Sequence, residues 1–220
     1  MPGQRPDVGR VHAGLAAGDS SVRLRVALAV GTTPDPRFVD ALIERCAVEP
    51  EFQVREMLTW AITRHPASVT VPGLIEALSS ERTQARSQAL HTLSKIGDRR
   101  AWPAITRALL TDADDEVARS AWRAAVVLVP EDARPELAGV LATQLGRGDR
   151  ATQLSLSRAL IALGEVSRPP LDAATTALDP RVRQHAIATQ RLWRDPDAEF
   201  EFAIEEAKRV VALGPTRQEG

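Results

Sequence analysis

Apolar residues recur along the chain at helical spacing, inside segments that themselves recur about every 32 residues. The clearest segment runs Asp19-Ser-Ser-Val22-Arg23-Leu-Arg-Val26-Ala-Leu-Ala29-Val30-Gly31. Related segments are anchored at Val54, Ala85, Val117, Ser155 and Val182, with steps of 32, 31, 32, 38 and 27 residues from Val22 onward. Counting from each anchor, position 4 is Val26, Leu58, Ala89, Ala121, Ala159 or Ala186, and position 8 is Val30, Ile62, Leu93, Ala125, Leu163 or Gln190. Together with the small residues at position 7, these offsets trace one apolar stripe on an α-helix. Second amphipathic segments lie between them, at 37–47, 72–79, 101–111, 133–145, 169–177 and 198–213. A helix–turn–helix unit fits such a period, and no stretch alternates as a strand would.

Punctuation agrees with this reading. Asp19 and Asp179 stand where helix N-caps belong, and Pro180 follows at the favoured first helical position. Gly31, Gly97 and Gly164 stand where C-caps belong, and prolines gather between the segments. The expected organisation is a loose N-terminus over 1–13, one helical domain over 14–213, and a loose end over 214–220.

The motif Asp19-x-x-Val22-Arg23-x-x-Val26-Ala27-x-Ala29-Val30-Gly31 resembles HEAT repeats, as do Ala85-Arg86-x-x-Ala89-Leu90 and Asp179-Pro180-x-Val182-Arg183-x-x-Ala186. It is most similar to the short bacterial type named after phycobilin lyase subunits. The resemblance covers about residues 15–212, with the fifth copy degenerate. It implies an all-α fold, a right-handed α-solenoid of about six repeats whose Val-Arg helices line the concave face.

Composition narrows the picture. Aromatics make up 4% of the 220 residues and tyrosine is absent, which disfavours a large β core. A single cysteine, Cys46, excludes an internal disulfide and a thiolate zinc finger. No apolar run approaches a membrane span, and MPGQRPDVGR lacks the apolar core of a secretory signal, so the expected location is the cytoplasm. Formal charge is −1, yet the Val-Arg segments hold twelve Lys or Arg against one acid, Glu56. Two readings stay open for this excess. The resemblance to HEAT repeats implies a structural ladder in which Arg23, Arg55, Arg86 and Arg183 pair with turn acids; for the remaining cations, a functional basic groove stands against simple solvation.

Positions 3, 6 and 10 of each Val-Arg helix share the side away from the stripe. Over copies two to four this side gathers Met57, Trp60, Arg64, Gln88, His91, Lys95 and Arg123, with Arg158 beyond them. Trp, Met and Arg have the character of an interface hot spot, and these eight residues are the candidate partner-binding set; for Trp60, packing in the core beside Trp122 is the competing reading. Trp122, at position 5, reads as core; Trp102 and Trp193 read as structural; the run Asp112–Glu116 reads as a helix-initiating turn rather than a cation loop.

No catalytic constellation stands out. The four histidines are isolated, no nucleophile elbow, P-loop or dinucleotide fingerprint occurs, and Cys46 lies on an apolar stripe. No cofactor and no metal are expected. The function expected is that of a non-catalytic scaffold, with regulation as one use, engaging through its basic concave groove a protein partner that is acidic or carries an acidic segment. Nucleic acid is the first alternative, although net charge offers no bulk attraction. An accessory enzyme subunit, as in a bilin-lyase-like heterodimer, is the second. Neither a membrane nor a particular oligomeric state is implied.

Overall fold

The computed structural model describes residues 7–195, 204, 205, 207–209 and 211. It is all-α, and the helices pair in the manner of an α-solenoid. The chain divides into two compact units, Met1–Ile105 and Thr106–Gly220.

The first unit holds α1 (Val8–Leu15), α2 (Ser20–Thr32), α3 (Val39–Cys46), α4 (Phe52–Thr63), α5 (Ala67–Ala77) and α6 (Thr83–Ile96). The Val-Arg helices α2, α4 and α6 pack side by side as one layer, and α1, α3 and α5 back them as the other. Phe38, Leu42, Leu58, Ile62, Leu74 and Leu90 are fully buried between the layers. The second unit repeats the plan with α7 (Arg107–Leu110), α8 (Asp115–Leu128), α9 (Arg134–Ala142), α10 (Arg150–Leu163), α11 (Arg168–Ala174) and α12 (Pro180–Arg194). There Trp122, Leu128, Leu141, Leu156 and Leu160 fill the interior.

Helix starts follow from the caps. Asp19, Asp114, Asp149 and Asp179 each accept from a backbone N–H of the first turn, as side-chain caps do. In every Val-Arg helix the anchor lies three residues after the N-cap, which puts the fifth anchor at Thr152 rather than Ser155. The last two steps become 35 and 30 residues, closer to the common period. Thr152, Leu156, Ala159, Leu160 and Leu163 are buried accordingly, whereas Ser155 is only partly covered.

Other expectations change locally. Helix α1 begins at Val8, inside the stretch read as a loose end. Gly31 lies within α2 instead of capping it, while Gly97 (φ 69°) and Gly164 (φ 75°) do stand at C-caps. In α2 the buried stripe turns by one residue, to Arg23, Ala27, Val30 and Gly31, leaving Ala29 exposed. This first Val-Arg helix has a layer neighbour on one side only, α4, and its face turns toward α1 and α4. Segment 101–111 is split by Pro103 into a 3-10 stretch, Arg99–Ala104, and the single turn of α7. Much of the helix expected at 198–213 lies outside the described residues; those described within it are helical. Among the described residues no helix is long and apolar enough to cross a membrane.

Candidate functional site

In four of the six Val-Arg helices an arginine follows the anchor, and it is tied into its own turn. Arg23 Nη1 donates to the carbonyls of Ala17 and Gly18, Arg55 Nη1 to those of Glu49 and Pro50, and Arg86 Nη1 to those of Ser80 and Glu81, all at 2.7–3.1 Å. Arg183 Nη1 does the same with Ala177 and Leu178. Each guanidinium thus closes its own preceding turn by satisfying carbonyls that the helices leave open. The shared partner is backbone, not the turn acids expected from the sequence.

Arg23 adds an acid as well. Its Nε and Nη2 each lie 2.7 Å from the Glu49 carboxylate, which also accepts from Arg45 Nε at 2.8 Å and from the Glu51 N–H at 3.0 Å. Glu49 is completely buried. Burial alone would raise its pKa, but the bonds from Arg23, Glu51 and Arg45 outweigh that and hold it at about 2. In α8 the position after the anchor is Ala118, fully buried. Arg147, from the turn before α10, reaches back to the Asp112 carbonyl and to Asp115 Oδ1 at 2.8 Å. Gln153 stands in for the arginine of α10, with Nε2 at 3.5 Å from the Gly148 carbonyl.

Those four guanidiniums are engaged in turns. The helices α2, α4, α6, α8, α10 and α12 carry thirteen Lys or Arg and three acids, because α8 begins early enough to include Asp115 and Glu116. In the first unit, position 6 presents Leu28 (47% exposed), Trp60 (38%) and the half-buried His91. Position 3 presents exposed Arg25 and half-buried Met57 and Gln88; position 10 presents exposed Arg64, at the α4 C-cap, and Lys95. Both cations sit at helix C-termini, where the dipole favours them. His91 Nε2 lies 3.4 Å from Glu56 Oε1 on the neighbouring helix.

Trp60 owes its pose to a glycine. A Cβ at Gly31 would lie 2.3 Å from Trp60 Cζ3 and 2.7 Å from Cε3, so the indole rests on bare α2 backbone. One part of the ring is packed and the rest faces outward. Six of the eight candidate residues therefore share the α4–α6 part of one face: Met57, Trp60, Arg64, Gln88, His91 and Lys95. Leu28, on α2, is exposed in the same row and is absent from the candidate set although the repeat offset marks it.

Arg123 and Arg158 belong to the second unit. With the anchor at Thr152, Arg158 takes position 6, the same place as Trp60, His91 and Arg123 in their own repeats. It is exposed. Arg123 Nη2 is 3.6 Å from Glu116 Oε1 and donates to Ser120 Oγ at 3.1 Å; Arg119 shares the same carboxylate. His185, at position 3, is buried rather than outward-facing. Its Nδ1 accepts from the Gly146 N–H at 3.0 Å and its Nε2 lies 3.0 Å from both Ser157 Oγ and the Gln153 carbonyl. Burial lowers its pKa to about 4, so the ring is neutral.

The remaining reactive side chains are tied into packing. Trp122 is buried and donates to the Leu110 carbonyl at 2.8 Å. Arg168 lies over the Trp193 ring, 5.2 Å from its centroid. Burial pushes the Cys46 thiol up to about 12, which suppresses the nucleophilic thiolate. Among the described residues no three His, Cys, Asp or Glu side chains cluster as a metal site would require.

Residues 47–126 match the family of HEAT repeats. That span covers the second and third Val-Arg helices and most of the fourth. Among solved structures, the fold is similar to a karyopherin bound to the extreme C-terminus of a protein phosphatase, with TM-score 0.58 and 19% identity over 86% of this chain. The chain spans 24% of that karyopherin's length. A second similar structure is a chain from the complex of the two phycocyanin lyase subunits CpcE and CpcF of Nostoc, with TM-score 0.47, 16% identity, and coverage of 95% of this chain and 96% of that one. No curated protein matches the sequence.

Proposed function

We propose that the protein is a non-catalytic binding module whose first-unit face, formed by α2, α4 and α6, engages a protein partner bearing acidic groups, in the cytoplasm. The observation carrying this reading is Trp60: a large side chain seated on Gly31, still 38% exposed, and set among the exposed cations Arg25, Arg64 and Lys95. A preset aromatic with charged neighbours is the composition of an interface hot spot. The likeness to HEAT repeats and to a karyopherin structure with a bound protein segment supports the same class of function. Arg158 offers a separate exposed cation at the same repeat position in the second unit.

The test is affinity capture from native extract with wild type and a Trp60→Ala, Arg64→Ala double variant, each with and without nuclease. A protein recovered by wild type, indifferent to nuclease and bound at least about tenfold more weakly by the variant, or roughly 1.4 kcal/mol, is the expected result. Equal recovery by both proteins would move the site off this face. Recovery abolished by nuclease would make the ligand a nucleic acid.

A further inference from the structure

The last repeat shows how its Val-Arg helix is covered. Positions 6 and 10 of α12 are Ala188 and Leu192, and both are buried. The chain's own helical residues 204, 205, 207–209 and 211 supply the cover: Ile204 and Ala207 join Ala188 and Leu192 in one apolar cluster, with Leu154, Ile161 and Ile187 packed against it. Ile204 and Ala207 are three residues apart, hence on one side of their helix, while Glu205 and Lys208 pair at 2.7 Å on its exposed side. The outward rows of this repeat type are thus occupied, in this chain, by an amphipathic helix.

The same rows in the first unit have no such cover among the described residues. Leu28 and Trp60 hold position 6 on two packed helices, at 47% and 38% exposure, with Arg25, Arg64 and Lys95 exposed around them. Packed helices stand about 8–10 Å apart. Two turns of a helix rise about 10.8 Å, so one apolar stripe can meet both side chains. The surrounding cations select carboxylates at the edges of that stripe.

We infer that the α2–α4 face takes an acidic amphipathic helix from a partner protein, seated on Leu28 and Trp60 as Ile204 and Ala207 are seated on Ala188 and Leu192. This rests on the reading of that face as the partner-binding surface, and deepens it by naming the form of the occupant.

The experiment adds two labelled peptides to the intact protein and follows fluorescence anisotropy. One peptide is residues 197–213 of this chain, which carries five acids and an apolar stripe. The other is the same peptide with Ala203→Pro and Ala207→Pro, which keeps the charge and breaks the helix. The expected result is at least tenfold tighter binding of the intact peptide, with the preference lost in Trp60→Ala and in Leu28→Glu. The latter lies at an exposed position and leaves the fold unchanged, so its loss of binding is not a folding defect. Equal, Trp60-dependent binding of both peptides would overturn the helical occupant while leaving the face intact. Binding that ignores both substitutions, or no binding of either peptide, would overturn the site itself. Self-association of the full chain that both substitutions abolish would make the occupant a second copy and overturn the partner.

Discussion

The turn before α4 and the turn before α10 occupy equivalent places in their units and are secured by opposite chemistry. Five residues before the anchor stands Glu49 in the first and Arg147 in the second. Glu49 receives Arg23 from the preceding Val-Arg helix, in full burial. Where that helix offers Ala118 instead, Arg147 supplies the guanidinium and reaches the Asp112 carbonyl and Asp115. The following Val-Arg helix completes both arrangements. Gln84 Nε2 donates to the carbonyls of Cys46 and Glu49 at 2.9 and 2.8 Å, whereas neutral His185 accepts from the Gly146 N–H. A repeat junction therefore needs its turn carbonyls and amides satisfied, and it tolerates reversal of which side carries the charge.

The comparison breaks most visibly at Glu49. Glu49→Ala leaves the Arg23 guanidinium buried without its carboxylate, and urea unfolding should show a loss of about 3–5 kcal/mol. His185→Ala removes a buried acceptor and its packing, with an expected loss of about 2–3 kcal/mol in the same measurement. Arg147 is more exposed and its ion-pair partner Asp115 is solvated, so Arg147→Ala should cost about 1 kcal/mol. Arg64→Ala and Lys95→Ala, at exposed positions, should stay within about 0.5 kcal/mol while weakening the partner complex.

Acid sharpens the same contrast, because the two turns titrate in different windows. His185 has a folded pKa of about 4 against an ordinary 6.5, so the unfolded chain binds the proton first. Its stabilising contribution is complete above about 6.5 and declines as pH falls toward 4. Glu49 has a folded pKa of about 2 against an ordinary 4.5, so its contribution persists above about 4.5 and is lost only as pH falls toward 2. Protection factors of the amides near Gly146, taken against the intrinsic exchange rate at each pH, should fall between pH 6 and 4, ahead of those near Glu51. Simultaneous loss of both would contradict the assignment of separate windows.

Much of the architecture was legible because caps and small residues repeat with the helical period, so elements emerged without long-range information. The fifth copy escaped because its anchor is Thr152 and the next residue is Gln153, neither of which carries the Val-Arg signature. The N-cap Asp149 was the available signal for the true alignment. The arginine ladder was visible as a pattern, but its carbonyl partners are backbone groups, which sequence does not distinguish. Gly31 read as a terminator because glycine marks both helix ends and close approaches; only the indole across from it decides between them. The repeat position of Trp60 leaves outward and core placements open, and its 38% exposure decides between them, whereas the same position rule misplaces His185, which is buried. A polar residue at a nominally exposed offset is drawn inward when a turn amide needs an acceptor.

The carbonyl clamps have a kinetic consequence. Arg23, Arg55, Arg86 and Arg183 bind carbonyls only five and six residues behind them, so each clamp can form before any other repeat is in place. Bonds such as Arg23 to Glu49, Gln84 to Cys46 and Gly146 to His185 span 26 to 39 residues and must wait for a neighbour. The chain thus separates the nucleation of a single helix pair from its propagation to the next. Short loop closures come first and longer ones are added one repeat at a time, the behaviour of a one-dimensional folding array.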